Sequence, residues 1–139
     1  QGLLWGILDQ IFAPYNARDR SRIALSGDNV PIDDRSATPL ALLFHELATN
    51  AAKYGALSVP DGRIALHIAR EGADVRIDWQ ELGGPAVQSM QPDGFGSRLI
   101  TLSVERQLGG RIARDWSADG LKLSLWIPTR SMSRSVGTE

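Results

Sequence analysis

One run constrains this chain more than any other. Between Ser36 and Tyr54 the apolar residues Leu40, Leu43, Phe44, Leu47, Ala48 and Ala51 recur at i, i+3, i+4, i+7, i+8 and i+11. A period near 3.6 puts them all on one face, so the segment reads as an amphipathic helix that must find an apolar surface to cover it. Ser36 or Thr38 is available as its cap, Pro39 is tolerable in a first turn, and Gly55 at positive φ would serve as its stop. The rest of the chain has to supply the surface.

That surface comes from strands. Ile64, Leu66 and Ile68 alternate with other residues, as do Val75, Ile77 and Trp79, and Arg70-Glu71-Gly72-Ala73 between the two runs reads as the bend of a hairpin. A second hairpin pairs residues 111–116 with 121–127 around Asp119-Gly120. Residues 22–26 (RIALS) read as a further short strand, closed by Gly27-Asp28-Asn29. Two more helices are expected, over residues 2–13 before Pro14 and over 97–108 before Gly109-Gly110. Helix, strand, helix, hairpin, helix, hairpin predicts an α+β two-layer sandwich, a mixed and mostly antiparallel sheet covered on one side by about three helices. One domain over residues 1–128 is expected, with a patternless tail over 129–139 that reads as disordered.

Composition excludes several classes. Apolar residues make up 42% and charged residues 22%, a globular balance. The net charge is −1 with both signs interleaved, which leaves no electrostatic case for a nucleic acid or an anionic membrane as partner. No run approaches the roughly 20 apolar residues of a membrane helix, and the first residues lack the basic start and small-residue cleavage site expected of a signal peptide. With no cysteine there is no disulfide and no thiolate metal site, in keeping with a cytoplasmic location. The chain starts without a methionine and inside a helical pattern, as a piece of a longer protein would.

Three segments can carry chemistry. On the central helix Glu46, Asn50 and Lys53 lie at i, i+4 and i+7, on one face away from the apolar stripe. A carboxylate, an amide and an ammonium in line can hold a hydrated divalent cation and a phosphate, because hard cations take oxygen ligands. The same row also suits a plain solvated helix face, and spacing does not choose between them. Asn50 tilts the balance, since an amide inside a helix gains nothing unless its side chain has a partner. His45 beside it suits either a ligand or a hydrogen-bonded structural group. Glu81-Leu82-Gly83-Gly84-Pro85 places a carboxylate at a strand end before two residues that let a planar ligand approach the backbone; a strand-ending turn would look the same. Gly94-Phe95-Gly96-Ser97 opens a helix, where bare amides at the positive end of the dipole can meet an anion or form a capped loop.

Taken in order, FHELATNAAKYGALS (residues 44–58), DWQELGGP (78–85) and GFGSRLI (94–100) resemble the asparagine box and two glycine boxes of the histidine-kinase ATPase domain, in the gyrase, Hsp90 and histidine-kinase superfamily. His45 with Trp79 and Glu81 is similar to the pattern that names the HWE histidine kinases, and the resemblance spans roughly residues 2–128.

The resemblance implies the Bergerat sandwich, ATP and Mg²⁺ as cofactors, and phosphoryl transfer to a histidine on a separate dimerisation domain, with a response regulator downstream. It implies that Asn50 coordinates Mg²⁺, that Lys53 meets the phosphates, and that Tyr54 borders the nucleotide. Glu81 receives the adenine amino group, with Gly83 and Gly84 beside the base. Glu46 stands at the acidic catalytic position, His45 lines the phosphate end, and Gly94, Gly96, Ser97 and Arg98 belong to the lid. Within the superfamily, an ATPase or serine kinase that switches a partner is the alternative; a degenerate, nucleotide-free docking domain is another. The loop from Pro85 to Gly94 is short, without a separate phenylalanine box. No segment resembles the hairpin that bears a phosphoacceptor histidine, and neither His45 nor His67 is assigned that role.

Overall fold

The computed structural model describes residues 2–16, 22–85, 95–117 and 120–133, with backbone alone for 95–98 and 116–117. Its centre is a five-stranded sheet in the order β2-β4-β5-β7-β6, formed by β2 (Ile23–Gly27), β4 (Arg63–Glu71), β5 (Asp74–Leu82), β6 (Arg111–Ser117) and β7 (Gly120–Pro128). Only the β2–β4 pairing is parallel; the other three are antiparallel. The parallel pair is bridged by α2 (Asp34–Tyr54), as such a crossover demands.

Alternation decides which face is covered. Ile64, Leu66, Ile68, Val75, Ile77, Trp79, Leu123, Leu125 and Ile127 are all buried and meet α1 (Leu4–Phe12), α2 and α3 (Phe95–Leu102). The opposite face carries Ser26, His67, Arg76, Asp78, Lys122 and Trp126 in cross-strand register. The α+β sandwich expected from the alternating runs is therefore present. Leu4, Leu8 and Phe12 of α1 and the predicted stripe of α2 fill the space between the layers. Phe12, Phe44 and Trp79 form its aromatic centre, with ring centroids 6.0 to 6.5 Å apart.

Several boundaries differ from expectation, each for a local reason. The N-terminal helix begins at Leu4, because Gly2–Leu3 (β1) instead pairs antiparallel with Pro31–Ile32 (β3). Its open amides are used at once: Leu4 N donates to Val30 O at 2.8 Å and Trp5 N to Asn29 Oδ1 at 2.9 Å. The central helix is capped by Asp33, not by Ser36 or Thr38. Asp33 Oδ1 accepts from the amides of Arg35 and Ser36 at 3.0 Å, and Ser36 Oγ returns as acceptor for Asp33 N at 3.3 Å. Pro39 thus lies beyond the first turn, and the carbonyl it leaves unserved belongs to exposed Arg35.

Gly55 does cap the C-terminus of α2, but at φ −114°, so positive φ is not why glycine stands there. The last core helix runs from Phe95 and winds wider over Ser103–Gln107 before Gly109, at φ 68°, stops it. The tail does not begin at 129. Thr129–Met132 forms a helical turn (α4), Met132 is buried, and its carbonyl accepts from Ser36 Oγ at 2.6 Å and Asp33 N at 2.9 Å. Residues 134–139 lie outside the described residues. Among the described residues no helix is long and apolar enough to cross a membrane.

Candidate nucleotide-binding site

The second half of α2 presents the predicted row along its length. Glu46 and Asn50 are half-buried, bordering the core stripe, while His45, Lys53 and Tyr54 are exposed. Tyr54 is 64% exposed. None of the side chains of His45, Glu46, Asn50 or Lys53 makes a hydrogen bond or ion pair with another described residue. Two half-buried polar groups without partners, an amide and a carboxylate, offer oxygen ligands of the kind that suit Mg²⁺. No group of three His, Cys, Asp or Glu side chains forms a metal cage among the described residues.

The row ends at a knot of buried polar groups. Glu81 reaches the end of β5 on the covered face and is only 6% exposed. Its Oε2 accepts from Trp79 Nε1 at 3.0 Å and its Oε1 from the amide of Ala56 at 3.0 Å. Trp79 is wholly buried, and the carboxylate two residues on meets the need of its indole N–H for a partner. The tryptophan and glutamate of the motif thus form one unit; His45, on the exposed side of α2, bonds to neither.

The glycines fit around this unit. A Cβ on Gly55 would fall 2.1 Å from Glu81 Oε1, so the helix cap is glycine to leave room for the carboxylate. A Cβ on Gly84 would fall 2.8 Å from Ala56 Cα, and one on Gly62 only 1.7 Å from Ala56 O. Gly83 has φ 69° and is needed for the turn itself. The two glycines after Glu81 therefore serve different ends, one a turn and the other a close approach of backbone to backbone.

Of the third predicted segment, Gly94 lies outside the described residues. Gly96, Ser97 and Arg98 lie in the first half of α3, where the backbone alone is described. Sequence reasoning missed Ala56: a small apolar residue 25 positions before Glu81 carries no signal that its amide will be bonded by a buried carboxylate.

No family model matches the chain. It is 43% identical over 121 residues, 85% of its length, to the blue-light-activated histidine kinase 1 of Erythrobacter litoralis, spanning 33% of that protein. The solved histidine kinase domain of Erythrobacter litoralis EL346 superposes with a TM-score of 0.73 at 18% identity, covering 96% of this chain and 63% of that one. The catalytic domain of histidine kinase ThkA superposes at 0.69 and 17% identity, covering 92% and 94%; ThkA has also been solved in complex with the response regulator TrrA. The chain belongs to the histidine kinases, and it spans about a third of the length of the blue-light-activated relative it matches.

Proposed function

We propose that this chain binds ATP with Mg²⁺ and supplies the catalytic half of a phosphoryl transfer to a histidine carried elsewhere in its parent protein. The observation that carries this reading is the row of Glu46, Asn50 and Lys53, without side-chain partners among the described residues, on a helix whose end meets the buried Glu81 at Ala56.

In this reading the base lies against the Gly83-Gly84 turn with Tyr54 at its border. Glu81 accepts from the adenine amino group with oxygen lone pairs that Trp79 and Ala56 leave free, since each carboxylate oxygen can accept more than one bond. The Asn50 amide oxygen holds Mg²⁺, with Glu46 beside it, and Lys53 meets the phosphates. Bound Mg²⁺ supplies neutralisation of the triphosphate charge. His45 lines the phosphate end, and Gly94, Gly96, Ser97 and Arg98 form the lid that excludes water. The chain's work is positioning and charge stabilisation, while the acceptor imidazole attacks in line from another segment.

Neither histidine of this chain suits the acceptor role. His67 lies on the uncovered face of the sheet, bonded through Nδ1 to Ser26 Oγ at 2.8 Å, and His45 projects from the ATP-site helix itself. A dimerisation domain bearing the acceptor and a response regulator downstream are the partners that follow, in the cytoplasm where ATP is supplied.

Calorimetry with ATP, with and without Mg²⁺, tests the reading. Binding is expected to strengthen with Mg²⁺, and Asn50→Ala to remove most of that gain while leaving metal-free affinity within about twofold. The isolated chain should gain no acid-labile phosphate. Equal losses with and without the metal would remove Asn50 from its role, and stoichiometric phosphohistidine on His45 or His67 would overturn the division of labour.

A further inference from the structure

The segment that backs the glycine turn is gripped from its other side by a residue outside all three motifs. Arg22, immediately before β2, is half-buried, and its guanidinium is turned into the loop after α2. Nε and Nη2 donate to Gly62 O at 3.2 and 2.9 Å, and Nη2 also donates to Val59 O. Longer contacts run from Nη2 to Ala56 O at 3.4 Å and from Nη1 to Leu57 O at 3.5 Å. No carboxylate pairs with Arg22 among the described residues. A rigid fork of donors answered wholly by backbone carbonyls fixes the course of a loop and does nothing for charge balance.

Ala56 is the point where the two grips meet. Its amide donates to Glu81 Oε1 and its carbonyl accepts from Arg22, so one small residue is held by an acidic side chain on one side and a basic one on the other. The loop so held is the backing of the base end. Gly84 packs against Ala56 with no room for a Cβ, and a Cβ on Gly83 would stand 3.2 Å from Asp61 O. If the loop moved outward, the glycine turn would lose its support and the Glu81 carboxylate one of its two donors.

We propose that Arg22 is a positioning residue for nucleotide recognition, acting through residues 56–62 to set the wall against which Glu81, Gly83 and Gly84 receive the base. It rests on the base-end reading of those three residues given above. Arg22 touches no nucleotide in this scheme, so its effect belongs to the base and not to the phosphates.

The test measures affinity for AMP and for Mg²⁺-ATP by calorimetry on the wild-type chain and on Arg22→Met, Arg22→Lys and Arg22→Ala. Arg22→Met should weaken AMP binding roughly tenfold to a hundredfold, the scale of one or two lost charge-assisted hydrogen bonds. The ratio of ATP to AMP affinity should stay within about twofold of wild type, because the phosphate end is untouched; a general loosening of the domain would change both ends and shift that ratio. Lysine, with one ammonium in place of a fork, should recover only part of the loss, and methylguanidinium added to Arg22→Ala should restore AMP binding. AMP affinity in Arg22→Met within twofold of wild type overturns the proposal. So does a failure of all three variants to fold, which would make Arg22 a purely structural residue, and so does a loss confined to the phosphate contribution. Absence of nucleotide binding by the wild-type chain would instead sink the base-end reading itself.

Discussion

The two faces of the sheet each carry a polar network, built from similar residues and worth very different amounts. On the covered face Trp79, Glu81 and Ala56 form a buried unit, with Glu81 6% exposed. On the open face Trp126 donates through Nε1 to Glu71 at 3.2 Å, with Arg76 at 5.2 Å and Arg111 at 4.8 Å from its ring. Arg76 also pairs with Asp78 at 3.2 Å and Glu71 at 3.7 Å, and Asp78 accepts from Ser124 Oγ at 2.7 Å. Counted as bonds, the open face is the richer. Apart from Ser124, its groups are partly exposed, and water can replace partners they lose, whereas the buried donors around Glu81 have no substitute. The hydrogen bond to Asp78, and less strongly the charge of Glu71, raise the proton affinity of Arg76, a group already protonated at any working pH.

Breaking the buried unit should therefore have the largest effect. Glu81→Ala leaves Trp79 Nε1 and the Ala56 amide as orphaned buried donors and opens a small cavity, so a loss of about 3–5 kcal/mol is expected in denaturant unfolding, together with nucleotide affinity. Stability within about 1 kcal/mol of wild type would show that water reaches the site and that the contrast between the faces is overstated. Gly55→Ala comes next. Its Cβ would sit where Glu81 Oε1 now lies, forcing the carboxylate off Ala56, and about 2–3 kcal/mol should be lost even though alanine favours helices. A stabilised Gly55→Ala would mean that Gly55 is only a helix stop. Smallest of all, Arg76→Ala should lower the melting temperature only slightly, with the difference shrinking further in 1 M salt, as thermal melts can show. A loss matching that of Gly55→Ala would mean the open face is covered by something in solution.

Local patterning revealed a good deal. The stripe on α2, both hairpins and the stop at Gly109 follow from periodicities of 3.6 and 2 and from turn residues, which act over a few positions and need no tertiary partner. Glu46, Asn50 and Lys53 could be placed on one face by counting, and Glu81, Gly83 and Gly84 at a strand end by alternation. The errors have two sources, a neighbouring residue overlooked and a distant group at work. Asp33 took the cap with Ser36 as its return partner, and the carbonyl of Met132, 96 residues beyond Ser36, drew the supposed tail back onto the start of the helix.

The sequence by itself determined the layers, the covered face and the residue types available for binding a nucleotide, because burial of an apolar stripe leaves few ways to fold it. Only the tertiary structure decided why those residues can serve. Ala56 is chemically silent until folding sets it between Arg22 and Glu81, and Gly55, Gly62 and Gly84 look like ordinary turn formers until the volume around that residue is seen to be taken. Such choices depend on which atoms meet across 25 to 40 residues of chain, and close packing enforces them at distances that no local pattern records.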